Sequence, residues 1–179
     1  MTGDINLLLK YAGLALLTLL ALFGDIRTYK VKNSVVLPFI IFGVALNTLN
    51  SGVEGAVSSI SGILLPVLLL FVFFALRMMG AGDIKFFCAA GAITGPFFVL
   101  NLIAYSFVCG GIICIIIMAV RKNGLQRLLY LGAYLKSCFL TMSLLPYSDF
   151  SDKNSGERFQ FMYAIACGLI VSITVDAIV

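Results

Sequence analysis

Between Lys85 and Arg121 no residue carries a charge. A helix that crosses a bilayer needs about 20 predominantly apolar residues, with a range of about 17–25, so this run is too long for one such helix. Soluble domains are about 45–50% apolar and about 25% charged, whereas this chain is 61% hydrophobic and 11% charged, with a mean hydropathy of +1.11. These features identify an integral membrane protein. Backbone polar groups in lipid must be satisfied within the structure, which leaves helices or a closed barrel. A barrel would show short alternating segments, and the long unbroken apolar runs exclude it. At 179 residues the chain has no room for a separate soluble domain of ordinary size, and one helical bundle over residues 1–179 is expected.

Six stretches qualify as spans. The first covers about residues 5–24, with Lys10 close enough to its start to snorkel outward. The second lies between Lys32 and Glu54 and the third between Glu54 and Arg77. Thr94-Gly95-Pro96 divides the long uncharged run into a short fourth and a longer fifth, because glycine permits a tight turn and proline starts a helix better than it continues one. The sixth falls between Arg158 and Asp176. Between Arg121 and Arg158 the pattern changes to a helical stripe of Leu125, Leu128, Leu129, Gly132, Leu135, Phe139 and Met142, interrupted by Arg127 and Lys136. An amphipathic helix lying at the interface fits residues 125–145. The alternative, a seventh span with Lys136 buried, carries an insertion cost of about 2.5–3.5 kcal/mol. The fold expected is therefore an all-α polytopic membrane protein with six transmembrane helices and one interfacial helix.

Basic residues set the orientation. In a six-span arrangement every Lys and Arg except Lys10 falls on one side, which is then cytoplasmic, while Asp4, Glu54 and Asp176 fall on the other. Both termini are expected outside, in a cytoplasmic (inner) membrane. With Asp4 and no basic run before it, the first apolar stretch reads as a retained helix rather than a cleaved signal. Asp25 and Asp83 both come to the cytoplasmic face.

Histidine is absent, which removes the commonest metal ligand and the usual neutral-pH base. The five cysteines, Cys88, Cys109, Cys114, Cys138 and Cys167, have no C-x-x-C spacing and read as small core hydrophobes. No metal or cofactor is implied, and acid-base chemistry falls to carboxylates, lysine, tyrosine or cysteine. Carboxylates beside hydrocarbon are costly, so those found there are paired, solvated or used in chemistry. Asp25 closes the first segment, and Asp83 lies in Met79-Gly80-Ala81-Gly82-Asp83-Ile84-Lys85. Two carboxyls brought together cannot both ionise cheaply, so such a pair shares a proton and offers a base and an acid to one water molecule. Gly80 and Gly82, lacking Cβ atoms, permit a positive φ and let a peptide backbone approach. Each residue also has a plain explanation. Asp83 can be the N-cap of the fourth helix, and Asp25 an interfacial residue pairing with Arg27 or Lys30.

Gly80-Ala81-Gly82-Asp83 with Lys85 resembles the G-x-G-D-x-K signature of the type IV prepilin peptidases, grouped with the preflagellin peptidases among membrane aspartic proteases. Asp25, followed eight residues later by Asn33, resembles the second half of that pattern. The resemblance implies a single transmembrane aspartic peptidase domain with Asp25 and Asp83 as the catalytic pair. Gly80, Gly82, Lys85 and Asn33 would shape the site or bind substrate, with Lys85 biasing which carboxylate stays ionised. It further implies pilin-like precursors as substrates, cut after a short basic leader at the cytoplasmic face, with membrane lipid as the other partner and no nucleic acid. Many relatives have paired C-x-x-C motifs before the second helix and methylate the new N-terminus. The stretch from Arg27 to Asn33 has no such cysteines, so this chain resembles the short, peptidase-only branch. Arg158-Phe159-Gln160-Phe161 stands where relatives often have proline. The acidic residues Asp149, Asp152 and Glu157 are expected to contact the basic leader, with a solvated loop as the plain alternative. Two other classes compete: a small proton-coupled transporter using the same aspartates as a relay, and a structural component of a secretion assembly in which they are dispensable.

Overall fold

The computed structural model describes residues 2–28, 31–76, 78–121 and 161–178. Their regular structure is helical: α1 (Thr2–Thr28), α2 (Asn33–Ala75), α3 (Ala81–Thr94), α4 (Pro96–Arg121) and α5 (Phe161–Ile178). Among the described residues three helices are long and apolar enough to cross a membrane, through Ile5–Asp25, Asn33–Ala75 and Pro96–Val120. Phe161–Asp176 is a shorter apolar helix. The 14 residues of α3 extend only about 21 Å, against a hydrocarbon core of about 30 Å. The chain is thus an all-α membrane protein, with two of the six expected segments carried by α2. The stretch expected to lie at the interface, residues 125–145, and the acidic residues Asp149, Asp152 and Glu157 fall outside the described residues, as do Lys136, Cys138 and residues 158–160.

A straight helix of the 43 residues in α2 would measure about 65 Å, twice the thickness of the hydrocarbon. Gly52 breaks it, with φ 59° and ψ −133°, a conformation open to glycine at little steric cost. Asn47 Nδ2 donates to Ser59 Oγ at 2.8 Å, although residues 12 apart in one continuous helix would be separated by about 18 Å along its axis. The chain therefore reverses, and α2 is a helical hairpin with arms 33–51 and 53–75. Glu54, expected between two spans, sits just past the turn.

The centre of the bundle is α3, whose residues from Phe86 to Ile93 are all buried. A helix that is apolar on every side belongs in the interior, and α2 is its principal neighbour. The two helices meet backbone to backbone: a Cβ added to Gly62 would stand 2.2 Å from the Gly91 carbonyl oxygen, and one added to Gly91 would stand 2.0 Å from that of Gly62. Small residues permit such approach, which matters where no hydrophobic effect drives helices together. α4 and α5 pair separately, with Gly110 against Phe161 and Gly168 against Ser106. Leu8, Leu19, Leu68 and Phe97 are exposed on the outside, as expected for a lipid-facing surface.

Gly95 ends α3 with φ 93°, and Pro96 opens α4, so the expected division falls where it was read. The last carbonyls of a helix have no partners within it. Here Asn47 Nδ2 donates to Ala92 O at 3.0 Å and Ile93 O at 3.1 Å, and Ser59 Oγ donates to Ala92 O at 2.9 Å. These bonds tie the C-terminal end of α3 to the hairpin turn. Its N-terminal end then lies at the opposite end of the arms, where α1 finishes and α2 begins, so Asp25 and Asp83 share one end of the bundle. At the other end Tyr11 Oη donates to the Asp176 carboxylate. The reading of cysteines as core residues needs correction. Cys88 is buried, but Cys109 and Cys114 are only partly covered and Cys167 is exposed, all of them free. A thiol is apolar enough to face lipid, so its presence in an apolar run did not imply burial in the core.

Replacing Asn47 with Ala strands the carbonyl of Ile93 and leaves that of Ala92 to Ser59 alone. We expect a loss of about 1–2 kcal/mol, read as a lower unfolding midpoint in detergent, and an unchanged midpoint would contradict this role for the network.

Candidate active site

The α3 helix begins at Ala81 with Gly80 as its cap residue, in an extended conformation at φ −75° and ψ 146°. Asp83 is therefore in the first turn of α3, the third residue of the helix, and is not its N-cap. The backbone N–H of Asp83 donates to Gly80 O at 3.2 Å. Gly80 and Gly82 do not supply a positive φ, because among the described residues only Gly52 and Gly95 have one. Their contribution is space. A Cβ on Gly80 would stand 3.4 Å from Asp83 Oδ2, and one on Gly82 would stand 3.2 Å from the backbone nitrogen of Val31 and 3.3 Å from its Cγ2. The backbone that approaches Gly82 thus belongs to the chain's own α1–α2 connection.

Val31 is the link that residue patterns alone did not single out. It is buried between two lysines, Lys30 and Lys32, and its packing on Gly82 joins the stretch after Asp25 to the turn before Asp83. An apolar residue isolated in a basic connection was the available signal. Met79, just ahead of Gly80, belongs with Val31 to the same buried cluster.

Asp25 lies in the last turn of α1, partly buried. Asp83 is likewise neither fully buried nor exposed, and its carboxyl is pushed up to about 6, first by burial and then by the charge of Asp25, while a backbone hydrogen bond from Gly80 pulls the other way. The second of these causes matters most for function, since it means that the two carboxyls lie within electrostatic reach. Lys85 is exposed on α3, two residues beyond Asp83, a spacing that does not put two side chains on one helix face. Asn33 opens α2 and is exposed, with Lys32 as the cap residue before it. The structure thus draws together Asp25, Asp83, Gly80 and Gly82, and leaves Asn33 and Lys85 on the surface of the same end. The side chains of Arg27 and Lys30, considered as partners of Asp25, lie outside the described residues.

Two carboxyls at one end of an apolar bundle, one of them pushed up to about 6, can hold a single proton between them and polarise a water molecule. Among the described residues no group of three or more His, Cys, Asp or Glu is placed to hold a metal ion.

The raised value of Asp83 has a consequence for stability. The folded protein binds this proton more tightly than the unfolded chain, so stability falls as pH rises from about 4 to about 6 and the full penalty persists above that. Asp83→Asn removes the penalty. Relative to the parent, it should gain about 1–3 kcal/mol at pH 7.5 and little at pH 4, measured as the difference in unfolding midpoint in detergent. An equal effect at both pH values would contradict the titration.

A family model described as the type IV leader peptidase family matches residues 12–115, a span that includes Asp25, Asn33, Gly80, Gly82, Asp83 and Lys85. No curated protein and no solved structure matches the chain.

Proposed function

Because the chain belongs to the type IV leader peptidase family, we propose that it is a membrane-embedded aspartic endopeptidase with Asp25 and Asp83 as its catalytic pair. The observation that carries the proposal is the convergence of the two motif stretches: Val31 packs on Gly82, and the charge of Asp25 acts on the carboxyl of Asp83. In the active form one proton is shared by the pair and rests on Asp83, whose carboxyl is pushed up to about 6 by burial and by the charge of Asp25, so this form predominates below about pH 6. Asp25, ionised, takes a proton from a water molecule as that water attacks the scissile carbonyl carbon. Asp83 donates its proton to the carbonyl oxygen, and collapse of the tetrahedral intermediate passes a proton to the leaving nitrogen as the C–N bond breaks. Gly80 keeps space beside the Asp83 carboxyl, and Lys85 and Asn33 flank the pair where a peptide would enter.

The substrate class follows from the family: a pilin-like precursor whose short basic leader is cut at the cytoplasmic face, next to an apolar segment. The accompanying topology is six spans in the cytoplasmic membrane with both termini outside, supported by the bias of Lys and Arg toward the side that bears the aspartates. The α2 hairpin supplies two of those spans. Asp149, Asp152 and Glu157 provide acidic contacts for the leader. We infer peptidase activity without N-methylation, since the connection between Arg27 and Asn33 has no paired cysteines.

The test is cleavage of a pilin-like precursor by membranes containing the protein or its Asp25→Asn or Asp83→Asn variant. Each substitution should lower the rate by at least about 10³-fold, because removing one carboxyl removes the base or the acid of a two-group mechanism. Retained helicity and detergent elution position would show that the loss is chemical. A variant still cleaving at near the parental rate would rule out the dyad.

A further inference from the structure

Thr18, Thr94, Ser106 and Thr174 return their hydroxyls to carbonyls of their own helices, and Asn47 spends its amide on Ser59, Ala92 and Ile93. Asn101 has no such arrangement, because it is exposed on α4. Its depth follows from Gly95, where a Cβ would stand 2.7 Å from Ser58 Oγ. From Ser58 to the end of α2 at Ala75 the helix extends about 26 Å, close to the whole hydrocarbon thickness of about 30 Å. The start of α4 is therefore near the outer edge of the hydrocarbon, and Asn101, five residues beyond Pro96, lies about 8 Å inside it. An amide has two N–H donors and a carbonyl acceptor. Lipid tails offer partners for none of them.

Asn101 shares its face with Ala104, Val108, Gly111 and Ile115, all exposed. Their alternating spacing of three and four residues makes one stripe along α4. Gly111 carries a second sign. Glycine weakens a helix interior, and Gly62, Gly91, Gly110 and Gly168 each have another helix against them, whereas a Cβ on Gly111 would meet nothing within 4 Å. Among the described residues, no contact accounts for its missing side chain.

We propose that this stripe is the surface on which α4 pairs with α4 of a second copy of the chain. Copies inserted under the same bias of Lys and Arg share one orientation, so the pair is parallel, with its twofold axis along the membrane normal. Such an axis sets residues of equal number at equal depth. Asn101 meets the partner subunit's Asn101, and each amide N–H donates to the other's carbonyl oxygen, a complementarity that lipid lacks. At Gly111 the two backbones approach, as small residues permit, and the stripe's spacing sets a left-handed crossing of about +20°. The chain that follows Arg121 departs about 30 Å along α4 from Asn101, and its sequence reads as interfacial. A second copy is thus the occupant that fits. The inference stands apart from the peptidase reading.

The experiment measures resonance energy transfer between donor- and acceptor-labelled copies of the full chain in phosphatidylcholine–phosphatidylglycerol vesicles, as added lipid dilutes the protein within the bilayer. Parent copies should associate, with transfer falling on dilution. Asn101→Leu keeps the size and removes both bonds, and should raise the dissociation constant at least about fivefold. Asn101→Gln keeps the amide and should stay within about threefold of the parent. Gly111→Leu should also weaken association at least about fivefold by blocking the close approach, while its unfolding midpoint in detergent does not fall, since the added side chain enters open space in the single copy. As a control, Leu68→Ala on the exposed side of α2 should leave association as in the parent.

A parent that stays monomeric at every dilution would overturn the proposal and leave another membrane protein or lipid facing Asn101. Association that either Asn101→Leu or Gly111→Leu leaves as tight as in the parent would overturn it as well, because both residues lie on the seam.

Discussion

The contact between Gly62 and Gly91 determines where α3 can sit, and α3 carries Asp83. With their carbonyl oxygens lying close to where each other's Cβ atoms would be, the second arm of α2 and α3 are held at backbone distance, closer than any larger pair of residues would allow. Lipid offers no hydrophobic reward for bringing helices together, so this approach supplies packing that larger side chains would prevent. The same closeness lets Asn47 and Ser59 reach the last carbonyls of α3. A helix of 14 residues is thereby held at the centre of the bundle although it is too short to cross the hydrocarbon core.

Holding one end of α3 near the hairpin turn leaves its other end beside the start of α2 and the end of α1. There a carboxyl is placed where it is costly to ionise, and a second carboxyl nearby raises that cost. Destabilisation of this kind is what a dyad needs, because it keeps a proton available up to about pH 6, beyond the ordinary carboxylate range. On the proposed reading, function and stability are in opposition at Asp83 and in agreement at Gly62 and Gly91.

Much of this was legible in the residues. The uncharged run after Lys85 and the break at Gly95-Pro96 marked α3 and α4, and the Lys and Arg bias put both aspartates on one side, which agrees with the shared bundle end that the hairpin contacts establish. The pairing of α2 with α3 was not legible, because glycines in apolar runs do not announce which backbone they face. The glycines before Asp83 were read as permitting a positive φ, whereas their φ values are ordinary and Gly82 leaves room for Val31. Asp83 was open to reading as a cap, and the helix in fact starts at Ala81, three-dimensional packing having fixed a boundary that composition leaves loose. Val31 was passed over because a single apolar residue between lysines carries no periodic signal.

The central claim, that Asp25 and Asp83 form an interacting pair, can be read from the titration of Asp83 itself. Infrared difference spectra of the carboxyl C=O stretch, assigned through Asp83→Asn, should give a midpoint near pH 6 in the parent protein. In Asp25→Asn that midpoint should fall toward the ordinary carboxylate range, while staying above it because burial remains. A midpoint that is the same with and without Asp25 would contradict the account.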